Sequence, residues 1–200
     1  MRKIWPILWV LLYAAVLLWS AIHPKDYFTW ILEVAPALIG LAILIATRAK
    51  FPLTPLLYVL ILPHCFILMV GGHYTYAEVP LFDWIKPFFG FERNNFDRLG
   101  HFAQGFVPAI IARELMIRLE IVTKPKWRIY LILSVCLAFS AFYELIEWTV
   151  AVLSGTNADA FLATQGDIWD TQKDMAMALV GAICALLFLS KWHDRQIAKM

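Results

Sequence analysis

With 200 residues, 62% of them hydrophobic, and a mean hydropathy of +0.69, this chain is too apolar for a soluble domain, where about 45–50% is usual. Its length suits a single unit, 1–200, rather than two domains. A net charge of +2 excludes a nucleic-acid binder that works by bulk charge.

Met1-Arg2-Lys3 and the apolar residues 4–22 look at first like a signal peptide. The apolar run is longer than the usual 7–15 or so residues, and His23-Pro24-Lys25-Asp26 follows it instead of a small-residue cleavage site. We expect it to stay as the first membrane helix. A span needs about 20 apolar residues to cross about 30 Å. Five further segments qualify: 27–47, 52–70, 97–119, 129–153 and 171–190. The 97–119 segment is the weakest, because it carries Asp97, His101, Arg113 and Glu114. The last contains Gly181 and several alanines, which let helices approach closely. The fold class expected is all-α: a polytopic membrane bundle of about six transmembrane helices. Cys65, Cys136 and Cys184 all fall in apolar segments and read as core residues, not as a disulfide framework.

Positive charge orients the bundle. With the N-terminus inside, cytoplasmic ends hold Arg2, Lys3, Arg48, Lys50, Arg113, Arg118, Lys124, Lys126, Arg128, Lys191, Arg195 and Lys199. External ends hold Lys25, Lys86, Arg93, Arg98 and Lys173. Both termini are therefore expected in the cytoplasm. Two long connections then lie outside. Residues 71–96 are aromatic and interrupted by Pro80 and Pro87, which suits an interfacial helix or re-entrant flap. Residues 154–170 read as a polar loop.

That orientation places acids and histidines in one layer near the outer face. Glu33 lies in the outer third of its span, His64 in the outer half of the next, and His73 just past its end. Asp97 and His101 share a helix face at i,i+4, and Glu144 and Glu147 share another at i,i+3. Asp170 and Asp174 share a third, with Asp167 upstream. Ionisable groups at membrane depth are costly and usually functional. His101, Asp97, Asp170, Asp174 and His73 are the candidate metal ligands. Histidine with carboxylates suits a divalent zinc, manganese or iron ion better than copper. Glu144 and Glu147 are the candidate catalytic groups, acting on water as general base.

Plainer roles stand beside these. Asn94-x-x-Asp97 and Thr171-x-x-Asp174 have helix-capping spacing. Asp167 and Asp170 suit solvated loop acids, and Glu33 could pair with Arg98 or Lys25. His64 could hydrogen-bond across the bundle, and His193, at a helix end, reads as ordinary. The inner level gathers only surface arginine and lysine.

Asn95-Phe96-Asp97-Arg98-Leu99-Gly100-His101-Phe102, Tyr143-Glu144-Leu145-Ile146-Glu147-Trp148 and residues 166–175, with Gly72-His73-Tyr74-Thr75-Tyr76, resemble the YjdF-like bacterial inner-membrane proteins. The likeness covers essentially the whole chain and implies a multi-pass protein of the cytoplasmic membrane, with no established chemistry. Asp97, His101 and Phe102, then Glu144 or Glu147, then Asp174 before Gly181 are more loosely similar to VanZ-like membrane proteins. That second likeness covers only the C-terminal half.

Three functions fit the layer. The favoured one is a metal-dependent hydrolase acting on a lipid or cell-envelope substrate, with 71–96 as a flap that admits an amphiphile. A structural or partner-binding role comes next. A small proton-coupled carrier is opposed by the apolar inner halves of the spans. Nucleic acid is no expected partner; the lipid bilayer is.

Overall fold

The computed structural model describes residues 4–154 and 162–200, with side chains described for all of them but Ser154. Among the described residues the chain is all-helical. Helix α1 is Ile4–Ala21, α2 Tyr27–Thr47, α3 Pro55–Tyr74, α4 Pro80–Ile85, α5 Phe96–Arg118, α6 Pro125–Ser154 and α7 Asp170–Ile197, with a 3₁₀ turn at Lys86–Phe89.

Local chemistry fixes several of these ends. The Asp26 side chain accepts a hydrogen bond from the Thr29 amide at 2.6 Å and starts α2. Pro55 opens α3 in the first turn, where its missing N–H costs nothing. Thr75, with φ 61°, closes α3 in the left-handed region.

Five helices (α1, α2, α3, α6 and α7) are long and apolar enough to cross a membrane. Helix α5 has 23 residues but is interrupted by Asp97, Arg98, Arg113, Glu114 and Arg118. Outward-facing residues of the spans are large and apolar, such as Ile7, Leu11, Ile45, Leu187 and Phe188. In water such surfaces would aggregate; against lipid they are at equilibrium.

Helix α5 packs against α3, α6 and α7, with its largest interface on α7. Small residues make that interface. A Cβ at Gly105 would strike the Ala178 carbonyl, and one at Gly181 the Phe102 carbonyl. The two backbones are thus in direct contact, as small residues in membrane helices allow.

The two ends of α5 carry separate polar networks. At one end lie Asp97 and His101. At the other, Glu114 accepts hydrogen bonds from the Thr54 amide (3.0 Å) and hydroxyl (2.7 Å) and from Arg118 (2.7 Å), and meets His193 Nε2 at 2.8 Å. Arg113 reaches His193 Nδ1 at 3.1 Å and Asp194 at 2.6 Å. His193 and Glu114 have no exposed surface. This corrects the expectation that His193 is ordinary and that the inner level lacks buried polar groups. The network also explains why α7 runs to Ile197, well past residue 190. Its last turns are held by His193 and by Gln196, which accepts from the Leu56 amide at 2.9 Å.

Candidate functional site

Asp97 and His101 stand one turn apart on α5, and Asp174 faces them from α7. One ligand atom of each lies within 4.8 Å of the others, and all three residues are buried. Asp97 Oδ1 is 3.5 Å from His101 Nε2. From α6, Glu144 Oε1 approaches the same nitrogen to 3.7 Å. That oxygen is buried and has no hydrogen-bond partner, although Thr171 bonds to the Glu144 carboxylate. Glu147, one turn further along α6, lies within electrostatic reach of Glu144, His101, Glu33 and Asp97.

The other imidazole nitrogen decides what this means. His101 Nδ1 is 3.1 Å from Gln104 Oε1, an acceptor. Nδ1 therefore donates, and Nε2 faces two carboxylates either as the second N–H of an imidazolium or as a lone pair. Acceptors facing one another in a buried place repel. A proton or a metal ion between them removes the conflict.

The wider charge balance points the same way. Glu33, Asp97, Glu144, Glu147, Asp167, Asp170 and Asp174 bring seven carboxylates together, against Arg93, Arg98 and Lys173. Arg98 spans 3.0 Å to Asp167, 3.0 Å to Asp170 and 2.9 Å to Asp174. Arg93 contacts Asp170 as well and lies 3.5 Å from Asp97. Asp170 thus spends its charge on two guanidinium groups. From sequence these arginines were external positive charges, with Arg98 a possible partner of Glu33; their pairing with Asp167, Asp170 and Asp174 was not expected.

Capping does not account for the aspartates. Asn95 and Trp169 are the cap residues of α5 and α7, and neither makes a side-chain cap bond. Asn94 instead closes a local turn onto the Phe96 amide at 3.1 Å. It exchanges backbone bonds with the Gln165 side chain at 2.9 Å each way. This ties the described end of the 154–170 connection to the start of α5.

His73 stands apart from the cluster: Nδ1 meets the Ser20 carbonyl at 3.0 Å, and the ring stacks on Trp19 at 4.6 Å. Glu33 pairs with neither cation suggested for it. It accepts from Tyr143 Oη at 3.0 Å, while Lys25 pairs with Glu78. Tyr76, given no packing role from sequence, fills the space left by Gly71 and Gly100, where any Cβ would meet its ring. The pair of glycines around an aromatic turn was the available signal.

Beside the cluster is a cavity of about 390 Å³. Glu33, His64, Asp97, His101 and Glu147 line one part of it, and Ile39, Ile43, Phe139, Phe142 and Ile146 the rest.

Asp167 lies outside the spans, so its ionisation can be read from pH. Hydrogen bonds from Lys173, from the Trp169 amide and from Arg98 hold its carboxyl well below the usual range. The folded value is depressed, so this contribution to stability is complete above the unfolded value and is lost as pH falls. The thermal advantage of wild type over Asp167→Asn is expected to be constant above about pH 5 and to shrink steadily below about pH 4. An advantage that grows with acid would contradict this assignment.

Residues 5–195 match the family described as "Predicted membrane protein (DUF2238)". The chain is 49% identical over 184 residues to "Inner membrane protein YjdF" of Escherichia coli (strain K12), covering 92% of this chain and 88% of that one. No solved structure matches.

Proposed function

We propose, since the chain belongs to the DUF2238 membrane-protein family, that it is a metal-dependent hydrolase acting on a lipid or cell-envelope substrate at the outer leaflet. In this reading residues 1–200 form one transmembrane domain with six spans, placed in a bacterial inner membrane with both termini in the cytoplasm. Support for α5 as a span comes from its two networks. Asp97 and Glu114 are separated by about 25 Å at about 1.5 Å per residue, close to the thickness of the hydrocarbon core. The short aromatic helix α4, with Trp84, Phe88 and Phe89 exposed around it, suits the interface above the cluster.

The observation that carries the reading is His101 Nε2 facing the Asp97 and Glu144 carboxylates in a buried site, with Nδ1 turned to Gln104. Asp97, His101 and Asp174 would hold the cation, and a donor set of one imidazole and two carboxylates suits zinc, manganese or iron. A divalent ion supplies Lewis acidity toward a carbonyl or phosphoryl oxygen and acidifies water. Gln104 fixes the imidazole tautomer and ring orientation. Glu144, with a free oxygen beside the cluster, accepts the proton of the attacking water, and Glu147 returns a proton to the leaving group. Asp170 is engaged by both Arg93 and Arg98, which also offer positive charge to an anionic head group.

The carrier reading meets a packed apolar zone between the two networks, made of Val107, Ile110, Ala182 and Ala185. A purely structural layer predicts that Glu144→Gln and His101→Gln lower stability without a separate functional defect, and that no ion is bound. Elemental analysis of detergent-purified protein separates these. Wild type is expected to hold about one equivalent of a transition metal and His101→Ala less than about a tenth, with chelation ending hydrolysis of membrane-lipid substrates. A metal content near zero in wild type, unchanged by His101→Ala, would sink the proposal.

A further inference from the structure

The geometry points to a lateral entrance: we infer that a hydrocarbon chain of a membrane amphiphile reaches the polar cluster from within the bilayer, between α2 and α6. This rests on the hydrolase reading and names how its substrate class arrives.

Helices α2 and α6 do not form a packed pair, although both border the same cavity. A hydrogen bond from Tyr143 to Glu33, 3.0 Å long, joins them at its polar end. Away from that bond, toward the middle of the spans, the walls turn apolar. Ile39 and Ile43 of α2 and Phe139 and Phe142 of α6 line the cavity while staying between 56% and 62% exposed. On a membrane-spanning helix, exposed apolar surface faces lipid. The cavity is therefore continuous with the hydrocarbon on one side and with Glu33, His101 and Glu147 on the other. Its volume, about 390 Å³, falls within the range of small-molecule sites.

The occupant follows from where the opening lies. A polar solute would have to leave water and cross isoleucine and phenylalanine to enter here, and would lose its hydration. A lipid chain already lies in hydrocarbon and loses none. Its head group would then stand at the level of His101 and the arginines.

Gly40 offers a clean test. It lines this cavity, and a Cβ added there meets no atom within 4 Å. Gly40→Leu would place a branched side chain at the cleft from a position whose Cβ meets no contact, and leucine is the better helix former. The full chain would be placed in nanodiscs of phosphatidylethanolamine and phosphatidylglycerol containing a diacyl phospholipid with a photoactivatable acyl chain. Adducts would then be mapped by peptide mass. Labelling of Ile39, Ile43, Phe139 and Phe142 is expected to exceed that of the lipid-facing Leu187 and Phe188. In Gly40→Leu the cleft labelling should fall about tenfold, with Leu187 and Phe188 labelling and the melting temperature retained. Labelling that is equal at both places and insensitive to Gly40→Leu overturns the entrance. So does a chain-to-chain crosslink through the cleft, which would make it a contact between copies. The readout needs neither metal nor turnover. His101→Ala should leave it intact, so failure of the hydrolase reading and failure of the entrance are told apart.

Discussion

Gly105→Ala, a gain of one methyl group, is expected to cost about 3 kcal/mol or more and to disperse the outer cluster. The added carbon would occupy the position of the Ala178 carbonyl, which is backbone and cannot rotate away. Helix α5 would have to move off α7. The same contact sets the approach of Asp97 and His101 to Asp174, because Gly105 lies one turn beyond His101 on α5 and Ala178 one turn beyond Asp174 on α7. Packing and site are thus one structural quantity. Gly181→Ala, which meets the Phe102 carbonyl from the other helix, should behave alike. Thermal unfolding in detergent and metal content would be measured on the same preparations. A Gly105→Ala protein with wild-type stability and full metal content would show that α5 and α7 are not in backbone contact.

Glu114→Ala is expected to cost about 3–5 kcal/mol, the range for removing one partner of a buried ion pair. Arg113 donates to His193 Nδ1, so the Nε2 proton of His193 points at Glu114, and a neutral imidazole satisfies both neighbours. Removing the carboxylate leaves that proton and the Thr54 amide without their acceptor and Arg118 with only the Pro52 carbonyl. The α3 start and the α7 end would both loosen. Glu114→Gln keeps an oxygen for Thr54 and should lose much less. The Asp97–His101–Asp174 cluster lies at the opposite end of α5, so the metal content proposed for it should be retained in residual folded protein. Detergent unfolding of the three proteins tests this; equal stabilities would mean that the inner network contributes nothing to holding the bundle.

The helices and the shared level of Asp97, His101, Glu144 and Asp174 were legible because hydropathy acts residue by residue, and because those groups sit too deep in apolar segments for surface groups. The convergence of α5, α6 and α7 on that level followed from counting residues along each span. Other features depend on rotation about the helix axis, which six weakly amphipathic segments do not encode. His73 turns toward α1 and Trp19, not toward Asp97. Arg113 and Glu114 looked like the cytoplasmic margin of a marginal span, yet they turn inward to meet His193, whose partners are about 80 residues away in sequence. The arginine pairing of Asp170 and the seat of Tyr76 between two glycines likewise needed three dimensions.

Anomalous scattering at a metal absorption edge tests the proposed metal site directly. Crystals of the protein grown with saturating manganese or zinc should give a difference peak between His101 Nε2, Asp97 and Asp174, and the peak should vanish in His101→Ala. A clean map with no peak there, and Arg98 alone closing the space between the carboxylates, would contradict it.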